Sequence, residues 1–353
     1  MSQLDVQHDV ELSPYTTFGF SQRAAHFVEV HSEAELAEAV QIAQTEKWPL
    51  LALGGGSNLV FAHDYPGLII RQLDQTISYQ QNSDGKNNSN GDIDDKQDIQ
   101  VTASAGVSWH TLVMDTVNRG LTGLENLSLI PGQVGAAPVQ NIGAYGVELC
   151  DRFVCLRALH VPSGEWHCMN GSDCQFSYRD SHFKHHDGDY IISSVTLRLG
   201  EHLGLHTAYA TLSDYLALHY PGVEPDARLV SEAVCVVRSA RLPDPAKLPN
   251  AGSFFHNPIT SAEHFLQLQV RFPDIVGHAL ADGRYKLAAG WLIDRLGYKG
   301  YRDNGVGVHE HQALVLVKYQ QTDASALIQL ADKIRQHVMT EYGVTLNIEP
   351  RIL

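Results

Sequence analysis

Residues 26–61 read HFVEVHSEAELAEAVQIAQTEKWPLLALGGGSNLVF. The alternation in HFVEVHS marks a half-buried strand, and Ser32 with Glu35 forms a capping box that opens a helix through EAELAEAVQIAQTEK. The apolar run WPLLALGGG then returns as a strand and ends in a glycine turn. Strand, helix, strand is a βαβ pattern, and it leaves Gly54, Gly55 and Gly56 at the carboxyl end of the second strand. Glycines let the backbone take positive φ and approach a ligand, while Ser57 and Asn58 add short hydrogen-bonding side chains, a combination suited to a phosphate or pyrophosphate. The turn has neither the GxGxxG spacing nor the lysine of a P-loop, so a tight structural turn is an equal reading of these residues alone.

Outward from this unit, residues 79–98 (YQQNSDGKNNSNGDIDDKQD) are almost devoid of apolar side chains. They are expected to form a mobile hairpin tip, a tolerated insertion, between the strands GLIIRQLDQTISY and DIQVTASAG. Ser108 is expected to cap the helix WHTLVMDTVNRG, with Gly120 at its exit. The strands FVCLRALHV and YIISSVTLRL follow, with PSGE turning the first into WHCM. Helical patterns then dominate in RLVSEAVCVVRSA and in SAEHFLQLQVRF, the latter opened by Thr260 with Glu263. Three prolines in RLPDPAKLP, residues 241–249, mark a linker. Leu327, Leu330, Ala331, Ile334 and Val338 recur at helical spacing, and the chain finishes in the strand-like VTLNIEPRIL. The class is α+β, in at least two units, with three expected.

Composition bounds the partners. At 353 residues, with 44% hydrophobic and 18% charged side chains, the chain can bury a sizeable core in more than one domain. Its net charge of −15 opposes binding to nucleic acid or anionic lipid, so an anionic ligand requires local positive potential from backbone N–H groups and a few arginines. Five cysteines without a CxxC point away from disulfides and zinc and toward a reducing cytoplasm. MSQLDVQHDVELSP lacks the apolar stretch of a secretory signal. The uncharged residues 126–147 hold two prolines and several glycines, so no membrane span is expected. His182, His185 and His186 cluster and His309 and His311 share a strand face, but no metal-binding spacing results and no metal is expected.

Four further segments carry possible chemistry. Leu129–Leu149, LIPGQVGAAPVQNIGAYGVEL, is too irregular for a helix and too apolar for an exposed loop. A large polar and aromatic cofactor lying on it would help satisfy its backbone groups, and a structural crossover is the alternative. Arg179, between Tyr178 and Asp180 in FSYRDSHFKHH, is either a bidentate anion clamp or a solvated surface charge. Ser253 in NAGSFFHNP lacks the second glycine of a nucleophile elbow, and taken alone it caps a turn. Glu349 in NIEPRIL shares a strand face with Asn347 and Arg351, and taken alone it belongs to a structural ion pair.

In this order SPYTTFGF, LGGGSNLVF, GLENLSLIPGQVGAAPVQNIGAYGVEL, FSYRDSHFK, RLPDP, NAGSFFHNP, LAAGWLID and IEP resemble the UDP-N-acetylenolpyruvoylglucosamine reductase family (UDP-N-acetylmuramate dehydrogenases), over nearly the whole chain. The resemblance implies an FAD-binding fold of the vanillyl-alcohol oxidase type in two subdomains, residues 1–72 and 73–242. A C-terminal α+β substrate-binding domain, 243–342, follows, and the strand 343–353 returns to the first part. It implies FAD held without a covalent bond, NADPH as hydride donor, UDP-N-acetylglucosamine enolpyruvate as substrate, a monomer, and a cytoplasmic step of bacterial peptidoglycan synthesis.

By the same resemblance the pyrophosphate rests on Gly54, Gly55, Gly56, Ser57 and Asn58. Ile130, Pro131, Gly132, Gly135, Ala136, Asn141, Gly143, Ala144 and Gly146 line the flavin. The catalytic trio falls on Arg179, Ser253 and Glu349. Tyr178, Tyr209, Arg241, Asn257 and Gln312 meet substrate, with Tyr209 closing over it as in the longer form of the family, and His256 stands where the family usually has lysine. After hydride arrives at the vinyl carbon, charge spreads into the substrate carboxylate. Arg179 and Glu349 would stabilise it, and Ser253 would protonate the neighbouring carbon. Three other readings remain to be distinguished. An oxidase of this fold would reoxidise in air without substrate, a serine hydrolase would be colourless and react with a fluorophosphonate, and a nucleotide-binding protein would bind a UDP-sugar without turnover.

Overall fold

The structure, a computed structural model, describes residues 4–81, 98–201 and 203–353. The chain divides into two compact units: Met1–Val10, Ala24–Gly55 and Pro66–Arg238 form one, and Glu11–Arg23, Gly56–Tyr65 and Ser239–Leu353 the other.

The first unit contains two sheets. Four strands run in the order Gln7–Glu11, Arg23–Val30, Tyr65–Gln72, Leu50–Ala52, with the last pair parallel. The βαβ expectation holds as strand, helix, strand along the chain, but Tyr65–Gln72 lies between the two strands that the helix connects. That helix, Glu33–Glu46, begins where expected: the Ser32 hydroxyl accepts the Glu35 N–H at 3.2 Å. It buries Leu36, Ala39, Val40 and Ala43 against Val28, Val30, Leu68 and Ile70 of its own sheet and Leu159 and Ile191 of the next. One helix face therefore serves two sheets.

The second sheet of this unit is antiparallel, in the order Glu165–Asn170, Phe153–His160, Tyr190–Leu199, Ile99–Ser104, Ile77–Gln81. GLIIRQLDQTISY, read as one strand, is broken. The carboxylate of Asp74 accepts the Thr76 N–H at 3.0 Å and the Ser104 hydroxyl at 2.8 Å, which turns the chain from one sheet into the other. The expected hairpin tip, residues 82–97, lies outside the described residues. Helix Trp109–Asn118 packs its buried Trp109, Leu112, Val113 and Val117 on this sheet. Ser108 gives that helix no side-chain cap; instead the Trp109 N–H donates to the carbonyl of Gly132 at 3.0 Å.

The second unit carries an antiparallel sheet ordered Asn250–Ser253, Val315–Lys318, Val306–Val308, Arg302–Asp303, and a three-stranded one ordered Ile259–Thr260, Tyr285–Leu287, Gly277–Ala279. Helix Ala324–Tyr342 buries Leu327, Leu330, Ala331, Ile334 and Val338, as the periodicity predicts. At helix Ala262–Arg271 the expected cap moves by one residue. Ser261 accepts the His264 N–H at 3.1 Å, because the Thr260 hydroxyl is engaged with the His264 ring at 2.8 Å. The C-terminus returns as a parallel pair, Arg351–Ile352 beside Leu59–Val60.

Candidate active site

The glycine turn begins in the first unit, where it meets the second glycine-rich segment. A Cβ on Gly55 would stand 2.9 Å from Gly132 Cα, one on Gly54 3.3 Å from Ala136 Cβ, and one on Gly135 2.5 Å from Ala105 Cβ. Gly55 thus packs backbone on backbone against Gly132, so a side chain there would separate the two segments, while one at Gly135 would press into Ala105. Within 129–149 the chain forms a 3-10 stretch, Val134–Gln140, then the short strands Gly143–Ala144 and Val147–Glu148 paired with each other. Leu129, Asn141 and Tyr145 here, and Arg179, are four of the eight described non-glycine residues with left-handed φ. Backbone strain is therefore concentrated on this loop and on the arginine that leans on it.

Arg179 sits in a tight turn in which Ser177 and Asp180 exchange backbone hydrogen bonds of 3.1 Å. Its Nη1 donates to the carbonyl of Asn141 at 3.5 Å and its Nη2 to that of Gly143. Tyr178, 46% exposed, has its ring 5.4 Å from the Arg179 guanidinium, and Tyr209, 49% exposed, packs edge-on against Tyr145 at 5.4 Å. Arg238, at the end of helix Ala227–Ser239, is a second guanidinium here. Burial holds it below the ordinary arginine range; Tyr145 opposes this and the like charge of Arg179 adds to it. In a chain of net charge −15, two neighbouring arginines create the local positive potential that an anionic ligand requires.

In the second unit, Ser253 stands at a bulge. Asn250 pairs with Val317 and Ser253 with Val315, so one extra residue is accommodated, and Gly252 takes φ +70°. The side chain of Asn250 accepts the Gly252 N–H at 2.8 Å and fixes that bulge, which re-aims Ser253. Among the described residues no side-chain hydrogen bond involves the Ser253 hydroxyl, while the flanking Phe254 and Phe255 are fully buried. Glu349 joins this strand by its backbone: its N–H donates to the carbonyl of Phe254 at 2.9 Å, and Ile348 bridges Phe255. Its carboxylate has His256 Nδ1 at 3.7 Å.

Asn257 accepts the N–H of Ala289 at 3.0 Å at the start of helix Ala289–Arg295, and Gln312 lies beside Gly290 of the same helix. The second unit thus gathers Ser253, His256, Asn257, Gln312 and Glu349. Arg241 is exposed, ahead of this strand. Arg179, Tyr178 and Tyr209 belong to the first unit.

Two family profiles match the sequence. One, described as the C-terminal domain of UDP-N-acetylenolpyruvoylglucosamine reductase, covers residues 244–353, and one described as an FAD binding domain covers residues 24–170. Among curated relatives, the UDP-N-acetylenolpyruvoylglucosamine reductase of Pseudomonas fluorescens Pf-5 is 44% identical over 350 residues, 99% of each chain. That of Chromobacterium violaceum is 43% identical over 353 residues, again 99% of each. The chain belongs to the UDP-N-acetylenolpyruvoylglucosamine reductase family. The crystal structure of the Thermus caldophilus UDP-N-acetylenolpyruvylglucosamine reductase, 24% identical, superposes over 99% of both chains with a TM-score of 0.65, so the fold is shared.

As a member of that reductase family the protein is an FAD-dependent oxidoreductase with the α+β FAD-binding fold expected from its sequence. The residues fit FAD. Among the described residues the amide N–H groups of Gly54, Gly55 and Gly56 have no backbone acceptor, which leaves three donors in one glycine turn for pyrophosphate oxygens. No group of three metal-ligating side chains occurs among the described residues, and no described helix is long and apolar enough to cross a membrane. The sequence reading missed Glu148, Cys150 and Arg238 as neighbours of Asn141 and Arg179; Asn141 lies 7 and 9 positions from the first two, and Arg179 and Tyr145 lie 59 and 93 positions from the third.

Proposed function

We propose that the chain reduces UDP-N-acetylglucosamine enolpyruvate to UDP-N-acetylmuramate with NADPH through FAD, in the cytoplasm, as a monomer, in bacterial peptidoglycan precursor synthesis. FAD, when bound, would supply the hydride transfer that links NADPH to the vinyl carbon of the substrate. FAD would rest on Gly54 to Asn58 and on Ile130, Pro131, Gly132, Gly135, Ala136, Asn141, Gly143, Ala144 and Gly146. The division into 1–72, 73–242 and 243–342, with 343–353 returning, belongs to the same proposal. The separate sheets of residues 7–72 and 77–199 support it, as does the pairing of Arg351–Ile352 with Leu59–Val60.

The observation that carries the reading is the backbone pairing of Glu349 with Phe254, which holds a carboxyl group on the segment adjoining Ser253. On this reading the Arg179 guanidinium clamps the substrate carboxylate, Glu349 donates a proton-bearing contact to the same oxygens, and the Ser253 hydroxyl gives its proton to the carbon beside the carboxylate. Serine is a weak acid, but the carbon it meets is strongly basic, so position outweighs a matched pKa. Phe254 and Phe255 exclude water from that proton transfer. Tyr178, Tyr209, Arg241, Asn257 and Gln312 are assigned to the substrate.

The test is the visible spectrum under anaerobic conditions. The flavin band is expected to bleach with NADPH and return on addition of UDP-N-acetylglucosamine enolpyruvate. A colourless protein that FAD does not reconstitute refutes the flavoenzyme, and recovery only in air refutes the substrate.

A further inference from the structure

We infer that Asn141 is a positioning residue that fixes Arg179 at both ends, through the backbone of its turn and through its guanidinium. The inference rests on the role proposed above for Arg179.

Asn141 is fully buried and adopts φ +42°, a conformation that asparagine tolerates better than other non-glycine residues. Its carboxamide is saturated within the chain. Nδ2 donates to Glu148 Oε2 at 2.8 Å, to the carbonyl of Ser177 at 3.1 Å and to Cys150 Sγ at 3.4 Å, and Oδ1 accepts the Cys150 N–H at 3.0 Å. One side chain therefore ties the loop to the strand at Glu148, to the turn at Cys150 and to Ser177.

Ser177 is the residue through which this reaches the arginine. It closes a four-residue turn with Asp180 by two backbone hydrogen bonds, and Arg179 occupies the third position with φ +56°. The Arg179 side chain then doubles back to the Asn141 carbonyl and to the Gly143 carbonyl. A guanidinium has five N–H donors, and these two bonds use two of them. Among the described residues no hydrogen bond takes the other three, so the outer edge of the group is left to a ligand. Gly143 is tied into the same geometry: a Cβ there would stand 2.9 Å from both Arg179 Nη1 and Glu148 Cγ.

Asparagine meets a requirement that its near neighbours do not. Aspartate keeps the acceptor for the Cys150 N–H but loses the donor to Ser177 and adds a charge beside Glu148. Alanine leaves the Cys150 N–H, the Ser177 carbonyl and the Glu148 carboxylate short of a partner.

The experiment compares Asn141→Ala, Arg179→Lys and the double variant in anaerobic stopped flow, with rates normalised to bound flavin. A displacement of about 1 Å in a clamping group costs about 10²-fold. Asn141→Ala is accordingly expected to slow substrate-dependent flavin reoxidation about 10²-fold, to slow NADPH-dependent bleaching far less, and to add little further loss in the Arg179→Lys background. Where the alanine variant does not fold, Asn141→Asp carries the same comparison at nearly the same volume. Losses that multiply in the double variant, or that fall equally on both half-reactions, overturn the positioning role. An Arg179→Lys enzyme with unchanged reoxidation overturns the Arg179 assignment itself.

Discussion

Nδ1 of His256 stands 3.7 Å from Oε2 of Glu349, so the carboxylate that is proposed to face the substrate has an imidazole neighbour where the family resemblance leads to a lysine. Both side chains are mostly buried, at 22% and 16% exposure, which shields the pair from salt. A lysine would hold a constant charge at that place. The charge of a histidine depends on its protonation, and the field on Glu349 depends on it in turn.

His256→Lys is therefore expected to change the shape of the pH profile of kcat/KM for the enolpyruvyl substrate, leaving the NADPH half-reaction nearly as it was. Steady-state profiles of the two proteins decide this. A profile of unchanged shape would remove His256 from the electrostatics of the site.

Ser253→Ala removes one hydroxyl at a bulge that Gly252 and Asn250 shape independently, so the strand should keep its form. Flavin reduction by NADPH is expected to be almost intact, and substrate-dependent reoxidation to fall by about 10²- to 10⁴-fold, the usual contribution of a positioned acid. Equal losses in the two half-reactions would sink the assignment of the proton to Ser253.

What could be read from the sequence is what short-range chemistry determines. Ser32 and Glu35 lie three apart and cap the helix Glu33–Glu46 with no help from elsewhere, and the Leu327 to Val338 spacing fixes the buried face of the last long helix. Gly55 and Gly132 belong to glycine-rich runs legible in the sequence, and only glycine permits the approach of their two backbones. Thr260 and Ser261 show the limit: two adjacent hydroxyls both suit a cap, and the His264 ring, by engaging Thr260, decides between them. Asn141 lay further out of reach. Its polar character was legible, but its partners at 148, 150 and 177 are brought to it only by the folded loop. The break of GLIIRQLDQTISY at Asp74 likewise depends on Ser104, thirty residues on.

Gly56 and Gly146 both have positive φ, +59° and +84°, but their surroundings differ. A Cβ on Gly56 would lie 2.0 Å from the carbonyl oxygen of Tyr15 and 2.7 Å from Thr16 Cα, whereas one on Gly146 would meet nothing within 4 Å. Gly146→Ala should cost only the left-handed backbone, about 1–2 kcal/mol. Gly56→Ala adds the displacement of a neighbouring segment and is expected to cost more than about 3 kcal/mol in all. Thermal melting and the flavin retained on purification measure both, and equal melting temperatures would mean that the Tyr15 segment yields freely.

Asp323 caps the helix Ala324–Tyr342, its Oδ1 accepting the Ser325 N–H at 2.8 Å. That backbone hydrogen bond, with one from the Ser325 side chain and the nearby charge of His63, holds the carboxyl below the usual aspartate range. A carboxyl with a depressed folded-state pKa contributes stability above its unfolded pKa of about 3.9, and the contribution is lost as pH falls through the lower folded value. The helix buries seven core side chains, so its first turn matters to the packing of the second unit. Asp323→Ala is expected to cost about 1 kcal/mol near neutral pH, and the gap to the parent should narrow as pH drops below about 4. Asp323→Asn keeps a good cap without the charge, so its stability should stay near the parent's at pH 7 and vary less with acid. Urea unfolding of the three proteins at a series of pH values separates these cases. A gap between parent and alanine variant that stays constant into acid would show that the cap acts by shape alone, without its charge.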